Sequence, residues 1–201
     1  MNYLELFPTI LGETIISDIS LNEVERYKIY LNNLEYEDNG TGNYRGTFNQ
    51  QVLDEPIFSK LKAKILKYAK EYLKTQGIIL EDIRIVNSWG TKTNIDERSL
   101  KHMHVNSYIS GVYYLEESSN INFYNPLENK WMFNIIKEFK EDNSYTHTYK
   151  FYTPTTNSLV IFPSYLPHEI ETSKKDSRKS ISFNIIPIGS IGKNTAILEI
   201  K

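Results

Sequence analysis

The chain contains no cysteine, which excludes disulfide bonds, iron–sulfur clusters and zinc sites built from thiolates. A bound metal would therefore need nitrogen or oxygen ligands. No apolar stretch approaches the length of a membrane-spanning helix, and the N-terminus lacks the basic and then apolar pattern of a signal peptide. We therefore expect a soluble protein that stays in the cytoplasm.

The chain also lacks an excess of positive or negative charge. The 23 Lys and Arg residues nearly balance the 25 Asp and Glu residues, which gives a net charge of −2 and a pI of about 6.1. The short basic run at 174–179 is typical of a solvated hairpin loop, and we prefer that interpretation to a phosphate-binding patch. The composition therefore gives no electrostatic signal for nucleic acid.

The length of 201 residues suits one domain with a sizeable core. Two helices are predicted in its first part. Ser20, with Glu23 three residues later, is typical of a capped helix start, and this helix should extend to about Leu34. A second helix should begin at Pro56 and end at Gly77, because apolar residues recur between them at three- and four-residue steps.

Short alternating segments dominate the rest of the chain. After a starting strand at 3–7, the pattern predicts strands at 83–89, 107–115, 121–124, about 131–136, 146–152, 158–162, 169–172, 177–187 and 195–200. The polar segment 90–99 is expected to be a loop that overhangs the site. Many short strands with the helices on the N-terminal side favour a mostly β (α+β) sandwich or jelly roll, covered on one face by helices.

Two of the four histidines, His102 and His104, are separated by one residue at the start of an apolar run. In an extended strand, residues at i and i+2 point to the same face, so both imidazoles could reach one metal ion. His168 follows another apolar run and is the candidate for a third ligand. His147 has no partner at such a spacing, so we interpret it as a core histidine.

The segment 178–185 alternates strictly, with Arg178, Ser180, Ser182 and Asn184 on one face and an apolar face behind them. We expect the apolar face to meet the helices and the polar face to line a cavity. A buried guanidinium is costly without an anion, and its fork suits a carboxylate. Arg178 is therefore a candidate anion-binding residue.

These residues resemble a known family. A His-x-(acid) pair entering a strand, a distal His and an Arg about ten residues later form the signature of the 2-oxoglutarate- and Fe(II)-dependent oxygenases. The chain has His-x-His-x-Asn-Ser at 102–107, Ser-Gly-Val-Tyr-Tyr-Leu at 110–115, Phe-Pro-Ser-x-Leu-Pro-His at 162–168 and Arg-x-Ser-Ile-Ser-Phe-Asn-Ile at 178–185. With Leu-Phe-Pro-Thr at 6–9, it resembles a branch found in phage and bacterial genomes.

The resemblance implies a double-stranded β-helix, or jelly roll, with N-terminal helices packed on one sheet. It implies a single domain over 1–201, in which residues 1–80 support a site-bearing core at 81–201. If the gene is carried by a phage, the compartment is the cytoplasm of the host cell.

The resemblance also implies the cofactors and the site. Fe(II) would be held by His102, His104 and His168, with 2-oxoglutarate and O₂ at the open positions. Arg178, assisted by Ser180 and with Tyr114 beside it, would bind the distal carboxylate of 2-oxoglutarate. Further candidate pocket residues are Asn106, Ser182, Asn184 and Asn87.

One departure from the family is that His104 stands where an acid is usual. Imidazole nitrogen suits Fe(II), but it equally suits zinc, nickel and copper. Water, or Asn106 from the same face, could instead complete a two-histidine site. For Tyr114, the alternative is simple core packing.

The resemblance implies an oxygenase that couples oxidative decarboxylation of 2-oxoglutarate to hydroxylation of a second substrate. One alternative is a cupin-like three-histidine metalloenzyme that works without 2-oxoglutarate. The other is a non-catalytic β-sandwich, such as a virion or binding protein. The expected partners are the small-molecule cosubstrate and a second substrate whose identity the sequence does not give, as it does not give the oligomeric state.

Overall fold

The computed structural model describes residues 8–38, 40, 42–78, 80–126 and 149–201. The predicted strands at 3–7 and about 131–136 lie outside these residues, as do His147 and the first part of the strand predicted at 146–152. No helix in the described part of the chain is long and apolar enough to cross a membrane.

The two predicted helices are present. Helix α1 (Leu21–Asn32) begins with the predicted capping box, in which the Glu23 amide donates to Ser20 Oγ over 3.2 Å and the Ser20 amide donates to Glu23 Oε2 over 2.8 Å. It ends two residues before the predicted boundary. Two 3₁₀ turns, Val52–Asp54 and Pro56–Phe58, precede helix α2 (Ser59–Thr75), so Pro56 opens a 3₁₀ turn rather than the α-helix itself.

The strands form two antiparallel sheets. They are β1 (Gly12–Ile15), β2 (Tyr36–Asp38), β3 (Arg45–Thr47), β4 (Asp82–Thr93), β5 (Ser99–His102), β6 (Ile109–Tyr114), β7 (Ile121–Tyr124), β8 (Tyr149–Tyr152), β9 (Ser158–Pro163), β10 (His168–Ile170), β11 (Arg178–Ile191) and β12 (Leu198–Ile200). The larger sheet has the order β1-β9-β6-β11-β4-β3-β2, with β12 paired to β11, and the smaller has the order β5-β10-β7-β8. The prediction of a mostly β jelly roll with helices on one sheet is confirmed.

Two apolar layers follow from the alternation of side chains along the central strands. The first lies between the helices and the larger sheet, where Ile181, Phe183 and Ile185 of β11 join the same cluster as Leu61 and Ile65 of α2. The second lies between the two sheets; it contains Val112, Tyr114, Ile121, Phe123, Val160, Phe162 and Leu166. The polar face of β11 thus points toward the space between the sheets, as its pattern predicts.

Gly111 of β6 stands where there is no room for a side chain. A Cβ atom at this position would clash with the Phe183 ring and the Val160 carbonyl oxygen. This explains why glycine stands within an otherwise bulky strand.

The prediction of a loop over 90–99 is wrong for its first part. Strand β4 continues to Thr93 and pairs with β11 along its length, from Ile188↔Asp82 to Arg178↔Thr93. Thr91 and Thr93 are buried although they are polar, because their side chains face the cavity between the sheets. A strand that lines a polar cavity lacks the apolar residues that would reveal it in the sequence.

Candidate metal centre and cosubstrate pocket

The three predicted metal-binding histidines lie together on the smaller sheet and the segment that leaves it. His102 of β5 and His168 of β10 are direct partners in the strand register. His104 lies two residues beyond β5, and its backbone amide donates to the Ser164 carbonyl over 3.0 Å. The candidate ligand atoms of all three residues lie within 4.8 Å of one another, a spacing that one metal ion can bridge.

The hydrogen bonds of the three rings determine which nitrogen faces the centre. Nδ1 lies 2.7 Å from the Leu100 carbonyl oxygen in His102, 2.9 Å from that of Leu166 in His168, and 2.6 Å from Asn184 Oδ1 in His104. These oxygens only accept hydrogen bonds, so each Nδ1 carries the proton. Each Nε2 therefore keeps the lone pair that a metal requires.

Burial keeps the three rings neutral. It lowers the pKa of His168 to about 3, with smaller contributions from His102 and His104, and it lowers the pKa of His102 and of His104. Neutral imidazole is the form that binds a metal. Among the described residues, no Asp or Glu joins this cluster, so the ligand set is entirely uncharged.

A partly open pocket between the two sheets borders these rings. It is lined by Tyr44, Trp89, Thr91, Thr93, Ser99, His102, His104, Val112, Ile121, His168, Ile170, Arg178, Ser180 and Ser182. Among the described residues that line the pocket, Arg178 is the one that is formally charged, and none is acidic. The pocket is therefore complementary to an anion.

Arg178 is 4% exposed. It donates to Thr93 Oγ1 over 2.9 Å and to Ser118 Oγ, while its Nε has no hydrogen-bond partner among the described residues. Burial lowers the pKa of the guanidinium, and Tyr114 and Glu116 partly offset this effect. Within the described ranges no acid forms an ion pair with Arg178, so a buried cation faces the pocket with unused hydrogen-bonding capacity.

Tyr114 lies beside Arg178 on the neighbouring strand, where it pairs with Ser180 in the register of β6 and β11. Its side chain is 1% exposed, and its hydroxyl has no partner in the part of the chain that the structure describes. Burial raises the pKa of this phenol, so the hydroxyl keeps its proton at neutral pH. Tyr114 is not itself one of the residues that line the pocket, whereas its strand partner Ser180 is; Ser180 shares a short hydrogen bond with Thr91.

The remaining candidate residues have different positions. Ser182 lines the pocket and Asn184 contacts His104, while Asn87 pairs with Asn184 across β4 and β11 and has an unpartnered Oδ1 among the described residues. Asn106 does not line the pocket: it is exposed in the turn before β6, with a φ of 57°. That geometry gives no support to Asn106 as an alternative ligand or as a pocket residue.

Sequence reasoning missed Trp89 and Tyr44. Trp89 Nε1 is a third buried donor without a described partner, and its ring centroid lies 5.8 Å from that of His104. Its place on β4, two residues from Thr91, puts both on the cavity face, and period-two alternation was the signal that could have revealed it. Tyr44 follows a glycine-containing turn, where the local sequence shows no such pattern.

Comparison with known proteins places these residues in a family context. Residues 87–184 match the family model described as "Putative 2OG-Fe(II) oxygenase". The matched segment spans every candidate site residue, from Asn87 to Asn184. The resemblance to the 2-oxoglutarate- and Fe(II)-dependent oxygenases is confirmed. Among curated proteins, no sequence matches the chain.

Several solved structures share the fold at low sequence identity. HygX from Streptomyces hygroscopicus, with nickel, 2-oxoglutarate and hygromycin B bound, is 14% identical with a TM-score of 0.59, covering 89% of this chain and 83% of its own. A Pseudomonas putida prolyl-4-hydroxylase is 11% identical with a TM-score of 0.57, covering 88% and 92%. The α-ketoglutarate-dependent epimerase SnoN from nogalamycin biosynthesis is 10% identical with a TM-score of 0.66, covering 92% and 79%.

Proposed function

We propose that the protein is a non-haem Fe(II) oxygenase that uses O₂ and 2-oxoglutarate and hydroxylates a second substrate. The observation that carries this proposal is the pairing, in one pocket, of three inward-facing imidazole nitrogens with a buried arginine that has no acidic partner among the described residues. The first feature fits a divalent metal, and the second fits a carboxylate. 2-Oxoglutarate carries both a metal-chelating end and a distal carboxylate.

In this proposal His102, His104 and His168 hold the iron through Nε2. When bound, iron with O₂ and 2-oxoglutarate supplies the oxidising chemistry, and the protein supplies position and environment. Arg178 binds the distal carboxylate through its fork, and Ser180 and Tyr114 donate hydrogen bonds to it. The Tyr114 hydroxyl has no partner within the described ranges, which supports this role over simple core packing, because a buried hydroxyl without a partner is costly.

Charge balance in the pocket favours 2-oxoglutarate, although His104 stands at the position where the family usually has an acidic metal ligand. Three neutral ligands leave the full 2+ charge on the metal, and Arg178 adds one more positive charge to the same cavity. A dianionic cosubstrate offsets most of that charge. The apolar side chains of Val112, Ile121 and Ile170 keep part of the wall dry, which strengthens each of these electrostatic contacts.

The structural relatives support the same reading of the pocket, since HygX holds nickel and 2-oxoglutarate in a related fold. They do not agree on one outcome for the second substrate: one relative is a prolyl hydroxylase and another is an epimerase. Hydroxylation is thus the part of the proposal that rests on the residue motifs alone. The fold places no limit on the substrate class.

A cupin-like three-histidine enzyme that works without 2-oxoglutarate is the second candidate. The all-histidine ligand set favours it, because His104 occupies the position of the usual acid. Such an enzyme has no evident need for the buried cation of Arg178 in the pocket wall. A non-catalytic sandwich explains neither the histidine cluster nor a buried Arg178 that has no acidic partner in the described part of the chain. We also predict that the protein is located in the cytoplasm, which would be that of a host cell if the gene is carried by a phage.

The deciding experiment is an anaerobic titration of the tag-free protein with Fe(II), with and without 2-oxoglutarate. The oxygenase should develop a visible charge-transfer absorption only when both are present. Arg84→Gln is the control variant and should show the same absorption as wild type. It removes an exposed arginine of β4 that pairs with Ile186 and lies away from the pocket. Fe(II) binding without any 2-oxoglutarate-dependent absorption would instead support the cupin-like enzyme.

A further inference from the structure

Asn184 holds one of the three histidines through its side chain. Its Oδ1 lies 2.6 Å from His104 Nδ1 and also accepts a 2.6 Å hydrogen bond from Ser110 Oγ. Asn184 is 7% exposed, and it pairs with Ser110 in the register of β11 and β6. One amide oxygen thus joins the candidate metal ligand to the centre of the larger sheet.

The other two histidines are oriented differently. His102 and His168 each direct Nδ1 to a backbone carbonyl oxygen two residues earlier, from Leu100 and Leu166. Those acceptors belong to the main chain, so they persist whatever side chains stand there. The acceptor for His104 comes from a side chain 80 residues away along the chain. A substitution can therefore remove the orienting acceptor of His104 alone.

An amide side chain can present either an oxygen or an NH₂ group, and the difference decides what His104 can do. With the oxygen toward the ring, Nδ1 carries the proton and Nε2 can bind a metal. With the NH₂ group toward the ring, the proton moves to Nε2 and the metal position is blocked. The orientation of Asn184 therefore controls the tautomer of His104.

A cluster of serine hydroxyls contacts the Asn184 amide oxygen. Ser110 Oγ lies 2.8 Å from Ser164 Oγ, which also forms a short hydrogen bond with Ser107. When Ser164 donates to Ser110, the Ser110 hydroxyl has its own proton free for Asn184 Oδ1. In that arrangement Ser110 is a second donor to the same amide oxygen, beside His104 Nδ1.

We propose that Asn184 is a positioning residue that fixes His104 as the Nδ1–H tautomer and so presents its Nε2 to the metal. The inference rests on the proposed function for its metal, but it does not require 2-oxoglutarate. Because the amide is neutral, this contact orients the ring without adding negative charge near the metal. The positive charge of the centre then remains available to an anionic cosubstrate.

The test compares Asn184→Leu, Asn184→Asp and Ser110→Ala with wild type in tag-free protein. Zn(II) and Co(II) affinities are measured by calorimetry without 2-oxoglutarate, and the ring nitrogens of the metal-free protein are assigned by ¹⁵N NMR. Asn184→Leu should weaken metal binding about 10- to 100-fold, as loss of the partner of a ligand usually does. Asn184→Asp should recover most of that affinity, because its carboxylate also accepts from Nδ1–H.

Asn122→Leu is the matched control. Asn122 is another buried strand asparagine, 5% exposed, but its amide donates to Glu169 and Glu171 rather than to a histidine. Its replacement should leave metal affinity within about twofold of wild type. If Asn184→Leu fails to fold, Ser110→Ala provides the milder variant, expected to weaken metal binding severalfold and to give His104 a mixed tautomer signal.

Each outcome separates the two proposals. Metal affinity in Asn184→Leu equal to that of Asn122→Leu, or a wild-type His104 with its proton on Nε2, overturns the role of Asn184 alone. Metal binding that depends on Asn184 but never supports 2-oxoglutarate binding overturns the proposed oxygenase and leaves the positioning role intact. A wild type that binds no divalent metal overturns both.

Discussion

His102 and His168 are direct partners in the register of β5 and β10, and their ring centroids lie 4.4 Å apart. Two of the three candidate metal ligands are thus held by the main-chain hydrogen bonds of one antiparallel ladder. His104 stands where the chain has left β5, and its ring depends on Asn184 instead. The centre therefore combines two ligands placed by the sheet with a third placed by a side chain.

The first prediction concerns metal retention. His102→Ala and His168→Ala should each weaken Zn(II) and Fe(II) binding by more than about 100-fold, since each removes a direct ligand whereas loss of a supporting partner alone costs about 10- to 100-fold. The fold should survive, because the first apolar layer, between the helices and the larger sheet, does not include the histidines; only the second layer contacts them, through Phe123 and Phe162. Metal analysis and far-ultraviolet circular dichroism of tag-free protein check both points. Near-stoichiometric metal in a variant that carries both His102→Ala and His168→Ala would disprove the site.

The second prediction concerns Arg178. Loss of a buried, charge-assisted pair costs about 2–5 kcal/mol. Arg178→Gln should therefore weaken 2-oxoglutarate binding to the Zn(II) form by about 30- to 5,000-fold and change Zn(II) affinity little. Calorimetry measures both constants. Arg84→Gln is the control for loss of an arginine from the paired β4 and β11 strands, and equal 2-oxoglutarate affinity in the two variants would contradict the assignment of Arg178.

The third prediction separates binding from packing at Tyr114. Tyr114→Phe removes a buried hydroxyl that has no partner among the described residues, so the metal-free protein should keep or slightly raise its melting temperature. The same variant should bind 2-oxoglutarate roughly tenfold or more weakly, because a hydrogen bond to a carboxylate is lost. Thermal melting and calorimetry measure the two effects.

The neighbouring tyrosine gives the opposite expectation. Tyr113 points to the other layer, and its hydroxyl donates to Asn157 Oδ1 over 2.6 Å. Tyr113→Phe should therefore destabilise the protein by about 1 kcal/mol or more and leave 2-oxoglutarate affinity unchanged. If both variants only lower stability, Tyr114 is a packing residue.

Several features could be predicted from local sequence because each depends on residues close together. The Ser20–Glu23 capping box needs only four residues, and the two faces of β11 follow from alternation. The pair His102 and His104 was identified by its spacing. These are short-range patterns, and the structure keeps each of them.

The other features of the site depend on which strands pair with each other. The alternation of polar and apolar residues along one strand does not determine that pairing. The pairing of His102 with His168, and of Asn184 with Ser110, follows from which strands become neighbours across 60 to 80 residues of chain. The same limit applies to the part of β4 beyond Trp89, whose polar residues face the cavity. The hydrogen bond between Asn184 and His104 is therefore visible only in the folded structure.

The fourth prediction concerns the start of α1. Ser20→Ala removes the side-chain acceptor for the Glu23 amide and should destabilise the protein by about 1 kcal/mol. Ser59→Ala is the matched control, because Ser59 is the first residue of α2 and does not cap it: the capping position belongs to Phe58, without a side-chain hydrogen bond. Urea denaturation measures both. Equal losses in the two variants would show that the capping box adds no stability.

The fifth prediction concerns acid stability of the metal-free protein. The pKa of His168 is about 3 in the folded state, lowered mainly by burial and then by His102 and His104, against 6.5 for an ordinary histidine. Between these values the unfolded chain binds a proton at His168 that the folded protein does not. Unfolding is therefore linked to proton uptake, and stability must fall as pH drops from about 6.5 toward 3.

His168→Gln tests this effect, because glutamine does not titrate. One proton changes the unfolding free energy by at most about 1.4 kcal/mol per pH unit. From pH 7 to 5, the wild type should therefore lose stability more steeply than His168→Gln, by up to that slope. His102 and His104 remain in both proteins and add acid sensitivity common to both. Urea denaturation at several pH values, with a chelator present, measures the difference, and parallel curves would show that His168 is not buried in its neutral form.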